Sequence, residues 1–182
     1  RQADAIGLAG RLGIFVLSDT RGGERIADEE AALAPLDAAG TIVYRRRAEN
    51  IGRKPGNIAD WFRAHGVAFS FMVVLDADSR MSARRIRSLI YRMEHDPGLG
   101  LLQAGIAMVP GRSVFGRHQR LANRLLSPNF GRGLAAWSGD CGNYWGHNAI
   151  MRTAAFRSAL ALPVLSGRAP FGGPPLSHDF VE

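Results

Sequence analysis

Short apolar runs that alternate with segments of helical period constrain this chain more than any other feature of it. Residues 13–17, 41–44, 69–75 and 99–106 each read as strands, those at 13–17 and 69–75 buried. Between them lie amphipathic stretches. Residues 24–39 read as a helix stopped by Gly40. Pro55 suits the first turn of a second helix, with Ile58, Trp61 and Phe62 on one face and His65-Gly66 at its end. Ser82 suits the cap of a third, whose Ile86, Leu89, Ile90 and Met93 form a stripe ending before Asp96-Pro97-Gly98. Val114, His118, Leu121, Ala122 and Leu125 repeat at helical spacing, in a helix expected to break near Pro128. All these stripes are read as packing faces. From Gly131 the sequence turns Gly-rich, aromatic and polar, which predicts irregular, site-lining chain before the apolar run of residues 149–151. Strands alternating with helices predict an α/β domain with a mostly parallel sheet flanked by helices.

Composition narrows the class. With 182 residues, 46% of them hydrophobic, the chain can bury one domain's core. No unbroken apolar stretch approaches a membrane span and the first residues carry no signal-peptide pattern, so the piece reads as soluble. The single cysteine, Cys141, excludes an internal disulfide and a cysteine-based zinc cluster. Basic residues exceed acidic ones by 23 − 16 = 7, yet the arginines are scattered, with one short run at residues 45–47, so no nucleic-acid stripe emerges and no nucleic-acid partner is expected. Lys54 is the only lysine, a compact ammonium in a chain that otherwise writes its cations as Arg.

The chemistry-bearing residues cluster after strands. Asp76-Ala77-Asp78 directly follows the run at 69–75, and alternation at a strand exit sends both carboxylates the same way. Hard oxygen ligands of this kind suit Mg²⁺ or Mn²⁺. Asp19 follows the first strand, and Asp179 stands near the far end of the sequence. In open α/β sheets ligands bind beyond the carboxyl ends of the strands, so Asp19 and the Asp76/Asp78 pair are expected to converge on one crevice. Each has a plainer reading: Asp19 as a loop cap, the Asp pair as turn formers, and Gly56 and Asn57 as a turn before a helix.

In chain order, residues 16–20 (Val-Leu-Ser-Asp-Thr), 53–57 (Arg-Lys-Pro-Gly-Asn), 75–78 (Leu-Asp-Ala-Asp), 144–150 (Tyr-Trp-Gly-His-Asn-Ala-Ile) and 177–182 (Ser-His-Asp-Phe-Val-Glu) resemble the inverting family 2 glycosyltransferases, and among them the glucans biosynthesis glucosyltransferase H group. The resemblance implies a GT-A-like, Rossmann-like catalytic domain. It implies UDP-glucose as donor and a growing β-glucan, the osmoregulated periplasmic glucan backbone, as acceptor. By the same resemblance Asp19, Lys54, Gly56, Asn57 and Asp76 bind donor, and Asp78 with Asp76 holds the divalent metal. Asp179 is the general base, and Trp145, Gly146, His147, Asn148, His178 and Glu182 line the sugar and acceptor end. Trp145 reads equally well as core, and His147 as structural. His178 stands where relatives often carry Glu.

The resemblance also implies that the piece is an incomplete domain, lacking the family's opening strand, its Gln-x-x-Arg-Trp motif and its membrane helices. The parent would then act at the cytoplasmic face of a bacterial inner membrane, beside its own membrane helices and other glucan-synthesis proteins. Competing readings are a cellulose, chitin or hyaluronan synthase-like polymerase domain, and a UDP-sugar sensor that binds without transfer.

Overall fold

A computed structural model describes residues 7–8, 10–160, 165–168 and 172–173. The described residues form two compact units, the first within Arg1–Ser70 together with the bridge between Leu165 and Gly173, the second within Phe71–Leu162. Each is considered by itself.

In the first unit, β1 (Phe15–Ser18) and β2 (Val43–Arg46) pair in parallel, joined through α1 (Gly23–Ala38). The register sets Phe15 opposite Val43 and Ser18 opposite Arg46. Strand β2 therefore runs two residues beyond the apolar stretch that predicts it, because its arginines find partners inside the unit. Next comes α2 (Arg53–His65), which begins after Gly52 in the left-handed conformation, φ 66°. Its buried face carries Ile58, Trp61 and Phe62, as the spacing predicts. Trp61 packs edge-on to Phe15 at 5.3 Å between ring centroids and stacks on Phe69 at 6.0 Å, making an aromatic core between helix and strand. A 3₁₀ turn, Gly66–Ala68, follows.

The second unit holds a three-stranded sheet in the order β3 (Phe71–Val74), β5 (Ala149–Arg152), β4 (Leu101–Gln103). Both of its ladders are antiparallel, so a mostly parallel sheet is not what these residues form; among the described residues only the β1–β2 pair is parallel. Strand β5 inserts between β3 and β4 and runs against both. Helix α3 (Ala83–His95) starts as read, with the Ser82 hydroxyl accepting the Arg85 N–H at 3.2 Å. Its Leu89 and Met93 meet Ala104 and Ile150 in the core.

Helix α4 (Val114–Ser138) departs most from expectation. It passes through Pro128 without a break and takes in the Gly-rich stretch through Ser138, so the irregular segment begins only at Gly139. No residue of it is fully buried. The Val114, Leu121 and Leu125 positions read as packing are exposed. A short helix, α5 (Thr153–Ala159), follows β5.

Candidate functional site

The expected site residues fall in both units. In the first, register explains the central contact: the ladder that pairs Ser18 with Arg46 brings the next residues, Asp19 and Arg47, side by side. Arg47 Nε and Nη2 donate to the two Asp19 carboxylate oxygens at 2.8 and 2.9 Å. Its Nη1 donates to Asp60 on α2 at 2.8 Å and to the Ile51 carbonyl at 3.1 Å, and Nη2 also to the Arg53 carbonyl at 3.0 Å. All five guanidinium N–H groups are used, on a side chain only 10% exposed. The Asp19 and Asp60 carboxylates drive the Arg47 guanidinium above its ordinary range, and Arg47 holds Asp60 below the usual carboxylate value.

Arg47 thereby fixes the loop at residues 51–53 that leads into the Lys54-Pro55-Gly56-Asn57 segment. Lys54 is half-buried in the first turn of α2. A Cβ on Gly56 would sit 2.1 Å from the Ile51 carbonyl oxygen, so glycine is required there by backbone crowding. Asn57 is buried, and its side-chain and backbone carbonyls both accept from Arg45 Nη2. Arg46 pairs with Glu30 at 3.5 Å. The run at residues 45–47, the chain's one unbroken run of three cations, is thus engaged inside the unit. A second anchor lies beneath: the Glu29 carboxylate accepts from the Thr20 hydroxyl and, at 3.0 Å, from Tyr44 Oη. The Ser18 and Thr20 hydroxyls, largest first, lower the Glu29 pKa, whereas burial raises that of Tyr44.

In the second unit, Asp76 and Asp78 stand just past β3 but not on an extended strand. The Asp76 carbonyl accepts the Ser79 N–H at 3.0 Å, closing a turn with Ala77 and Asp78 at its centre. Strand alternation therefore does not set their directions. Asp76 is half-buried and Asp78 exposed.

The Trp145–Asn148 loop comes to this turn. The Asn148 N–H donates to the Val74 carbonyl at 2.8 Å, and its side-chain amide reaches Ser79 Oγ at 3.4 Å and His147 Nδ1 at 2.7 Å. An amide N–H aimed at Nδ1 leaves the proton of a neutral imidazole on Nε2, which lies 3.8 Å from Asp76 Oδ2. Gly146, φ 80°, and Asn148, φ 55°, both take left-handed backbone, which bends the loop back to the sheet. Trp145 is half-buried, Gly146 and Asn148 buried.

Gln103, at the end of β4, holds this loop by its backbone. Its side-chain oxygen accepts the Trp145 N–H at 3.0 Å, and its amide donates to the carbonyls of His147 at 3.0 Å, Ala104 at 3.2 Å and Asn148 at 3.3 Å. The residues missed by reading the sequence are therefore Gln103, Ser79, Arg47 and Asp60. The signal for Gln103 was a lone amide at the end of an apolar strand; for Arg47 it was the parallel register itself.

Asp76 and Asp78 bring two carboxylates to one turn, hard oxygen donors of the type a small divalent cation takes. Among the described residues no three His, Cys, Asp or Glu side chains form a closed metal cluster. His178, Asp179 and Glu182 lie outside the described residues. Among the described residues, no helix is long and apolar enough to cross a membrane.

Comparison with known proteins gives the family likeness directly. The chain is 49% identical over 172 residues to glucans biosynthesis glucosyltransferase H of Xylella fastidiosa, covering 92% of this chain and 27% of that protein. It is 50% identical over 172 residues to the Vibrio cholerae protein of the same name, covering 24% of it, and 48% identical to that of Xanthomonas oryzae, covering 27%. The chain thus spans about a quarter of the length of these curated relatives. No family model and no solved structure matches it.

Proposed function

We propose that the chain is part of the catalytic region of an inverting, UDP-glucose-dependent β-glucosyltransferase of family 2, with a GT-A-like domain, extending an osmoregulated periplasmic glucan backbone. The observation that carries this reading is near-50% identity, over almost the whole chain, to proteins named for glucan biosynthesis. The gathering of His147, Asn148 and Ser79 around the Asp76 turn supports it.

In the second unit, Asp78 and Asp76 are the residues to hold Mg²⁺ or Mn²⁺, whose chemistry is to offset charge on the departing UDP. His147 presents Nε2–H toward Asp76, and Trp145 and Asn148 offer an aromatic face and an amide to a sugar ring. In the first unit, Lys54 and the backbone at the start of α2 suit an anionic donor, with Gly56 and Asn57 keeping that segment in place. Asp19 serves the nucleotide through a loop that Arg47 has already ordered. Asp179 is assigned the general base, taking the proton from the acceptor hydroxyl as it attacks the anomeric carbon; His178 and Glu182 flank it. The parent protein is placed at the cytoplasmic face of the inner membrane, with its own membrane helices and other glucan-synthesis proteins as partners.

The test has two parts. Calorimetric titration of UDP and UDP-glucose, with and without Mn²⁺, should show metal-dependent binding that Asp78→Ala removes. Glucan synthesis by the parent protein should be lost in Asp179→Asn. Binding without synthesis by the unaltered parent would indicate a sensor, and wild-type synthesis by Asp179→Asn would refute the assigned base.

A further inference from the structure

Helix α4 turns the wrong side outward for a core helix. Gly116, Gln119, Ala122, Asn123, Ser127, Gly131, Leu134 and Ser138 are its half-buried positions, and six of them, Gly116, Asn123, Ser127, Gly131, Leu134 and Ser138, fall on one stripe. That stripe is small and mostly polar. Asn123 ties it down, accepting the Met108 N–H at 3.1 Å and donating to Ser127 Oγ at 2.8 Å. The large apolar side chains face out: Phe115 is 69% exposed, Leu126 67% and Trp137 89%, with Leu121, Leu125 and Phe130 all above half. Six such side chains along a 25-residue helix exceed the scattered apolar exposure normal for a protein surface.

Charge identifies the partner. Residues 97–139 contain five arginines and no Asp or Glu. Arg117, Arg120 and Arg124 follow one another at spacings of three and four, a basic stripe on the side away from the Phe115, Leu126 and Trp137 arc. A basic face opposite a Trp/Phe/Leu face, on a helix too polar to span, is the pattern of a helix lying in the plane of an anionic bilayer surface.

We propose that α4 docks the second unit on an anionic lipid bilayer, with the Phe115, Leu126, Phe130 and Trp137 side chains in the headgroup boundary and the arginines reaching phosphates. This inference does not rest on the glucosyltransferase reading. A glucosyltransferase whose α4 ignores lipid is as possible as a lipid-bound chain with no transferase activity.

The test is co-flotation of the full 182-residue chain with vesicles of phosphatidylcholine alone and of phosphatidylcholine mixed with phosphatidylglycerol, with tryptophan emission read in parallel. The chain should float with the anionic vesicles, release as salt rises, and shift its emission to the blue as Trp137 leaves water. Arg117→Gln/Arg120→Gln/Arg124→Gln should weaken partition about 100-fold at low salt, at roughly 1 kcal/mol per charge. Phe115→Ser/Phe130→Ser, which keeps Trp137 as the reporter, should abolish both flotation and the shift while its circular dichroism matches the parent chain. If unfolding clouds that variant, Leu126→Gln removes a smaller apolar area at one position and should weaken flotation correspondingly. Absence of flotation, equal flotation with neutral vesicles after the arginines are removed, or concentration-dependent self-association abolished by the same substitutions would each overturn the proposal.

Discussion

The two units hold their candidate residues by opposite means. In the first, charge is consumed internally: one guanidinium serves two carboxylates and two carbonyls, and its neighbours Arg45 and Arg46 are paired as well. In the second, neutral amides do the holding, with Gln103 on the loop backbone and Asn148 on the His147 ring, while Asp78 stays exposed on its turn. Ion pairs that are nearly buried make a rigid scaffold, because breaking one strands a charge. Amide networks position a loop yet leave the Asp78 side chain exposed. The lesson is that an acidic residue after a strand means different things in the two units: Asp19 is already engaged, and Asp78 is presented.

The sharpest way to break this contrast is to separate activity from stability. On the proposed function, Asp78→Ala in the parent protein should lower glucosyl transfer by about 100- to 1,000-fold, equal to roughly 3–4 kcal/mol of barrier. The melting midpoint of the chain should not move, since an exposed turn residue contributes little to packing. Initial rates and thermal scans on the same preparations check both halves. A destabilised Asp78→Ala chain would place Asp78 with Asp19 as a structural carboxylate.

Arg47→Met should do the reverse. It leaves the Asp19 carboxylate, 17% exposed, and two carbonyls without their donor, and should cost the first unit about 3–5 kcal/mol. Urea titration followed by the emission of the buried Trp61, in a chain carrying Trp137→Phe and Trp145→Phe, reads this directly. Arg47→Lys should recover only a minority of the loss, because an ammonium cannot reproduce the two-pronged contact with Asp19. Full recovery would show that charge alone, without the guanidinium's shape, orders residues 51–53.

Gln103→Leu tests the amide side of the contrast at smaller cost, about 2 kcal/mol for backbone groups left unpaired. Amide hydrogen exchange should quicken at Trp145, whose N–H loses its acceptor, while the β5 amides stay protected. Gln103→Glu should fare no better, since a carboxylate would face three carbonyl oxygens. Uniform quickening through β5 would mean that Gln103 supports the sheet rather than the loop.

Local features of the fold were legible where one short stretch determines them. The Ser82 cap, the Ile58/Trp61/Phe62 face and the strand ahead of Asp76 all follow from spacing and capping chemistry. What needed the fold was whatever depends on pairing. The antiparallel direction of β5 is not written in its apolar residues, since Ala149-Ile150-Met151 fits either direction. Helix α4 misleads for a different reason: Pro128 and three glycines are local helix breakers, and its apolar stripe reads as core until its exposure is seen. For the site, Asp76, Asp78, His147 and Asn148 announce themselves by type, and the structure adds that the last two lean on the Asp76 turn. Gln103 and Arg47 act through contacts 42 and 28 residues away, so a lone amide after an apolar run and an arginine in a run of three do not by themselves reveal their partners.

The smallest expected effect is on acid stability of the first unit. Arg47 hydrogen bonding, then its charge and that of Arg63, holds Asp60 below its ordinary 3.8, and the Ser18 and Thr20 hydroxyls hold Glu29 below 4.5. Both carboxylates bind protons more weakly folded than unfolded. Their stabilisation is complete above the ordinary values and is lost as pH falls through the lowered folded ones. The melting midpoint should therefore be flat above about pH 4.5 and drop below it, and Asp60→Asn with Glu29→Gln should flatten that drop. Asp60 is 39% exposed on its side chain and ion-paired to Arg47, so high salt should shrink its share, leaving the Glu29 hydrogen bonds with Thr20 and Tyr44, which involve neutral donors, as the remainder of the effect. An acid slope untouched by both substitutions would assign it to other carboxylates and detach the Arg47 and Glu29 anchors from the stability they are said to supply.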